Sequence, residues 1–178
     1  LTPGTYYYAA RFQIGTGPYA YGGTGGVWNN DSVTLNVNSN LVDFCNVQFP
    51  TTINITEGGS ETVFAQVYEP GVTNSGGQGA GISAWIGYST TNGTPDNTWT
   101  WISATYNTDS GNNDEYQATL GTGLAPGTYY YASRFQKTGS TQYQYGDING
   151  VWNTTADNGV MTIAALLAPD ATAATGVA

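Results

Sequence analysis

The chain has 178 residues, a formal net charge of -9 and only three basic side chains, Arg11, Arg134 and Lys137. So few cations cannot neutralise a run of phosphates, which argues against a nucleic-acid partner, and the acidity argues against an anionic membrane surface. No stretch has the apolar length of a membrane span, and the absence of histidine excludes Ser-His-Asp, Cys-His and histidine-zinc chemistry.

Taken from its first residue, the chain reads LTPGTYYYAARF, and 124–135 repeat this as LAPGTYYYASRF. The match continues: YAYGGTGGVWN at 19–29 aligns with YQYGDINGVWN at 143–153, and 32–37 align with 159–163. Residues 1–37 therefore read as the C-terminal strands of a preceding, incomplete module. Residues 38–45 read as a linker, 46–163 as a complete module, and the Ala/Thr/Pro-rich 164–178 as a linker toward a following module. Within the complete module, β-rich runs bounded by Gly, Asn, Asp and Pro predict strands at 50–56, 61–68, 81–88, 98–105, 115–120, 127–136, 142–146 and 159–164. Gly-rich loops fill 69–81 and 90–97. No helical period persists. Many short strands in so few residues predict an all-β fold, an antiparallel immunoglobulin-like β-sandwich in tandem modules.

The repeated opening has a physical reading. Leu124, Pro126 and Gly127 turn the chain between sheets, and the pattern predicts a corner in which the Tyr130 hydroxyl bonds back to the backbone, with Tyr7 doing so in the first copy. Strand alternation puts Tyr130, Ala132 and Arg134 on one face, and Tyr129, Tyr131, Ser133 and Phe135 on the other. Arg11 and Arg134 hold the same repeat position. A charge there needs solvent or a partner, and Glu69 and Asp147 are candidates for an arginine that pins neighbouring loops.

The chemistry is sparse. Asp114 and Glu115 are adjacent, so on a strand they point to opposite faces and make a poor acid–base pair. The expectation is a protein that is not an enzyme. The sequence calls for no cofactor; calcium is the one ion whose oxygen ligands it offers, at Asp114, Glu115 and Asp147, although Asp and Asn equally form turns. Lone Cys45 reads as a small buried apolar residue. Trp99 and Trp101 alternate and share a face, with Tyr143, Tyr145 and Trp152 near the last hairpin. Flat aromatic faces flanked by amides suit a sugar; the same rings equally suit a core or a module contact. Trp85, in GISAWIGY, is expected in the core. Sequons stand at Asn30, Asn54, Asn92 and Asn153, and Asp31-Ser32-Val33 fits a short O-glycosylation motif at Ser32.

The run from ETVFAQVYEPGVTNSGGQGAGISAWIGYSTT through TWTWISATYNTDSGNNDEYQATLGTGLAPGTYYYASRFQ resembles modules in large secreted and cell-surface proteins of Bacteroidota. Those modules stand in tandem, and their chains are often exported by type IX secretion. The resemblance implies an extracellular or cell-surface location and supplies no catalytic residues. It makes a structural or adhesive module the main expectation, with neighbouring modules of the same or identical chains as partners. Residues 1–37 then either belong to a truncated array or complete another chain's sandwich, which would build a filament head to tail by strand complementation. The alternative is a carbohydrate-binding accessory module of a larger secreted enzyme, with glycans as partners. Burial of Trp99, Trp101 and Tyr145 favours the first; exposed, coplanar rings favour the second.

Overall fold

The computed structural model describes residues 1–37, 39–153 and 157–167. Most of the expected 164–178 linker lies outside those residues. The chain divides into two compact units, Leu1–Asn40 and Leu41–Ala178, and no helix occurs among the described residues.

The first unit holds β1 (Gly4–Tyr8), β2 (Ala10–Phe12), β3 (Ala20–Gly23), β4 (Gly26–Val27) and β5 (Val33–Val37). β1 pairs with β5, and β2, β3 and β4 form a small antiparallel sheet. The second unit holds β6 (Phe44–Phe49), β7 (Thr52–Thr56), β8 (Glu61–Tyr68), β9 (Ile82–Ser89), β10 (Thr100–Ser110), β11 (Asn113–Leu120), β12 (Gly127–Lys137), β13 (Gln144–Asp147), β14 (Gly150–Val151) and β15 (Gly159–Ala164).

The second unit is a β-sandwich closing toward a barrel. One layer runs β6-β8-β11 and ends on the second half of β10; the other runs from the first half of β10 through β9, β12, β13 and β14. β10 joins them because Thr100–Ala104 pair with β9 and Thr105–Ser110 pair with β11. β15 lies beside the first half of β12 and pairs in parallel with β7.

Alternation decides what is inside. Val63, Ala65 and Val67 of β8, with Cys45 and Val47 of β6 and Tyr116, Ala118 and Leu120 of β11 beside them in the same layer, share one core with Ile82, Ala84 and Ile86 of β9 and Tyr131 and Phe135 of β12. Each buried aliphatic or aromatic side chain of this size contributes about 1.5–3 kcal/mol by leaving water. The expected linker 38–45 is corrected at its end: Val42 and Cys45 are core residues, and β6 starts at Phe44. The burial of Cys45 matches its apolar reading, and it raises the thiol pKa well above the ordinary value.

The repeat is reproduced in register. Arg11 pairs with Tyr21 as Arg134 pairs with Tyr145, and Gly22 pairs with Val27 as Gly146 pairs with Val151. Tyr8 stands opposite Val33 where Tyr131 stands opposite Gly159. The last strands therefore match as 33–37 on 159–163, one residue on from the sequence alignment.

The corner forms as expected but with a different tyrosine. Tyr129 donates its hydroxyl to the Ala125 carbonyl at 3.0 Å, and Tyr6 donates to the Thr2 carbonyl at 2.7 Å. Tyr129 lies in the core-facing phase of β12, and Leu124 of the turn packs against the same core. Tyr130 and Tyr7 lie in the other phase, so neither is the corner residue.

Candidate functional site

The outer face of β9, β10, β12 and β13 carries an aromatic cluster built around Arg134. Trp85 and Tyr145 flank Arg134 across three strands in register. The arginine's Cζ lies 4.0 Å from the Tyr143 ring centre, 4.3 Å from Trp101 and 5.0 Å from Trp85. Its Nη1 donates to Asn97 Oδ1 at 3.2 Å. Neither expected carboxylate serves it: Glu69 is paired with Lys137, and Asp147 caps its own hairpin. Burial pulls the guanidinium pKa down, but ring quadrupoles and Asn97 hold the cation where a carboxylate was anticipated. Arg11 sits 4.1 Å over the Tyr19 ring, the same arrangement in outline.

Trp99 and Trp101 share a face, as the spacing predicted, and their rings stack with centres 6.0 Å apart at 21°. Trp99 is buried at 7% exposure, whereas Trp101, Tyr143, Tyr145 and Trp85 are half-buried. Trp101 lies flat against Gly87 of the neighbouring strand, and its Nε1 donates to the Asp96 carbonyl at 2.8 Å. Asp96 is in turn fixed by Thr98, whose amide and hydroxyl both donate to Oδ1. Tyr145 tilts against Trp101 and Tyr143, and Tyr143 meets Trp85 edge to face. The rings thus form a continuous but internally packed surface. Trp101 spends its faces on Gly87, Trp99 and Arg134, while Tyr143, Tyr145 and Trp85 stay half-buried.

Trp85 corrects the core expectation. Ile82, Ala84 and Ile86 alternate inward, so Trp85 points out; that alternation was present in the sequence. Trp152, just after β14, is half-buried and stands apart from the ring contacts described for this cluster. Asn97 and Gly87 had no sequence signal, because their roles depend on pairing between distant strands.

The structure does not bring Asp114, Glu115 and Asp147 together. Asp114 Oδ2 accepts from the Gly79 amide at 2.6 Å, and Glu115 accepts from Asn107 Nδ2 at 2.5 Å. Asp147 Oδ1 accepts from the Asn149 and Gly150 amides at 2.8 and 3.0 Å. No three His, Cys, Asp or Glu side chains converge among the described residues. Ser32 is half-buried, and its Oγ accepts from Trp28 Nε1 at 3.1 Å.

No family model matches the chain. It is similar to segments of three amylopullulanases. The identity is 36% over 34% of this chain for the protein of Thermoanaerobacterium saccharolyticum, and 35% over 43% for that of Thermoanaerobacterium thermosulfurigenes. For the protein of Thermoanaerobacter thermohydrosulfuricus it is 31% over 47%. The chain spans only 5–7% of the length of these relatives. Matches from these organisms lend no support to the expected Bacteroidota setting or to type IX export.

Proposed function

We propose that this chain is a non-catalytic accessory module of a larger secreted, polysaccharide-acting enzyme, and that it contacts carbohydrate through the aromatic face around Arg134. The similarity to short segments of three amylopullulanases carries the reading, since a segment of 5–7% suits an accessory unit better than a catalytic one. The chemistry agrees. With no histidine and with the paired acids on opposite strand faces, little is available for bond cleavage. Half-buried Tyr143, Tyr145 and Trp85 offer apolar ring faces, with Asn97 on Arg134 to supply an amide; Gln144, opposite core Phe135, points to the other face. The ligand class is an α-glucan such as the pullulan in the relatives' name.

Affinity electrophoresis of the 178-residue chain through gels containing pullulan or soluble starch tests this. Retardation that is lost in Tyr143→Ala with the fold intact supports it. Equal mobility with and without polysaccharide sinks it.

A second reading, a structural spacer in a tandem array, is favoured by two observations: the register of β12–β15 recurs in β1–β5, and Trp99 is buried. It predicts no retardation on any glycan.

A further inference from the structure

Asp109 and Asp114 are direct partners across the β10–β11 pair. The register shifts between Tyr106 and Thr108, and this bulge turns Asp109 onto the same side as Tyr106 and Asp114. Asp114 continues the inward phase of Tyr116, Ala118 and Leu120, at the end of the sandwich that the loop 69–81 covers. Like charges directly opposite on one face repel. The loop answers with amides: Gly77, at φ 85°, donates to both Asp109 oxygens at 3.1 and 3.0 Å, and Gly79 donates to Asp114 Oδ2. Two neutral amides do not balance two carboxylates.

Asp114 is fully buried, and its second oxygen, Oδ1, has no hydrogen-bond partner. A buried carboxylate oxygen without a partner costs several times what a normal hydrogen bond contributes. The polar groups bonded at this end are otherwise neutral oxygens and amides: Tyr106 donates to Asp109 Oδ1, Gln78 Nε2 meets the Tyr116 hydroxyl, and Thr73 bonds the Asn112 carbonyl; Glu69, at the start of the loop, is already paired with Lys137. A buried carboxylate and an exposed one, each bonded by an amide of a Gly-rich loop, among carbonyls and hydroxyls and with no nitrogen or sulfur ligand, match the preference of a hard divalent cation. We propose that exposed Asp109 and buried Asp114, at the edge of the loop 69–81, bind a single calcium ion. Gln78 and backbone carbonyls of the loop complete its coordination together with water. Glu115 and Asp147, which the sequence also suggested, take no part: Glu115 faces the opposite side with Asn107, and Asp147 belongs to the β13–β14 hairpin. Nothing in this site depends on the carbohydrate reading.

The test uses the whole chain, stripped with a chelator and titrated with calcium chloride by calorimetry and by thermal unfolding. One ion per chain should bind, with a Kd on the order of 10⁻⁴ to 10⁻³ M, and saturation should raise Tm by about 2–4 °C. Asp109→Asn and Asp114→Asn should each weaken binding by about tenfold or more, since ligand charge sets affinity; Asp43→Asn, an exposed acid elsewhere, should leave it unchanged. Terbium, a calcium surrogate, should show luminescence sensitised by Tyr106 and Tyr116 that calcium displaces. That readout stands on the wild-type chain even if a variant fails to fold. No calcium binding by the stripped chain, no tyrosine-sensitised terbium signal, or binding unaltered in both Asn variants would overturn the assignment.

Discussion

Asp31 fills the space that a side chain would need at Gly23: its Oδ1 lies 1.8 Å from the point where a Cβ would stand. In the second unit the position matching Gly23 is Asp147, which reaches into the equivalent hairpin itself. The hairpin keeps its carboxylate, supplied by the strand in one copy and by the following loop in the other. Asp31 accepts from the amides of Asn29 at 2.9 Å and Gly25 at 2.8 Å, and those bonds hold its pKa below the ordinary value. Gly23→Ala should expel the carboxylate. The Asp31 pKa should then rise toward the ordinary carboxylate range in an NMR titration, and the Gly25 and Asn29 amides should exchange faster by about tenfold or more. The stabilisation Asp31 provides is present above its unfolded pKa and lost as pH falls through the lowered one. An unchanged titration would mean that the Asp31 carboxylate and the added methyl group can coexist.

Gly87 is fixed by its cross-strand partner. A Cβ there would come within 2.4 Å of the Trp101 ring, and the nearest atoms belong to a large side chain packed on both sides. Gly87→Ala should therefore push Trp101 off the sheet and loosen Trp99 and Arg134 with it. The expected cost is about 1–3 kcal/mol in denaturant unfolding, as for overpacking, with tryptophan fluorescence shifted to the red. A stability within about half a kcal/mol of the parent, the level of a surface change, would contradict the packing.

The two tyrosines at the corner separate by one hydroxyl each. Tyr129→Phe removes the bond to the Ala125 carbonyl and should cost about 1 kcal/mol, while Tyr130→Phe should change stability by less than about 0.5 kcal/mol. Tyr131→Phe should cost more, about 1–3 kcal/mol, because its buried hydroxyl donates to the Pro50 carbonyl at 2.7 Å and leaves that acceptor unpaired. Chemical denaturation of the three variants ranks them.

What was legible in the sequence follows the range of the physics. Alternation is local, and although the core expectation for Trp85 ran against the alternation of Ile82, Ala84 and Ile86 on β9, the strands β8, β9, β11, β12 and β15 could be read directly. So could the shared face of Trp99 and Trp101. β6 was missed, with 38–45 read as a linker and the first strand set at 50–56, because Asp43 and Phe44 blur the alternation that Cys45 and Val47 begin. The Arg134 cluster needs β9, β12 and β13 in register, and neither those pairings nor the bulge that turns Asp109 toward Asp114 has a local signature. The corner tyrosine was missed by one position because a Tyr-Tyr-Tyr run offers a candidate on each face.

Asp147 gives a pH prediction. Burial raises its pKa, the Asn149 and Gly150 amides oppose the shift, and the nearby charge of Asp157 adds to it. Buried Cys45 also faces this carboxyl but stays a neutral thiol. A folded pKa above the unfolded one means that the folded state prefers the protonated form. Asp147 therefore favours folding at low pH, and this contribution is lost as pH rises from the unfolded value through the raised folded one. Asp147→Asn retains an oxygen to accept from both amides and removes the buried charge. In calcium-free buffer it should flatten the fall in stability across that window and be at least as stable as the parent at neutral pH. A steeper fall in the Asn variant would show that the charge is compensated in the folded state.

Arg134 tests whether the aromatic surface is one unit. The guanidinium lies within 5.0 Å of three ring centres and bonds Asn97, so it contacts β9, β10, the residues leading into β13 and the loop 90–97 from a single position on β12. Lysine keeps the charge but not the plane. Its ammonium can sit over one ring at a time and cannot stack. Arg134→Lys should cost about 1–2 kcal/mol, the scale of the cation–π contacts it gives up, and Arg134→Met should cost more because the buried methionine cannot replace the bond to Asn97. The effect on glycan binding separates the two functional readings. In a carbohydrate module, Arg134→Lys should weaken retardation on pullulan through misplaced Tyr143 and Tyr145, even at a temperature where the fold is fully retained. In a spacer the same variant changes stability alone. Measuring both on one protein preparation distinguishes a ring cluster that holds a ligand from one that only holds the sheet.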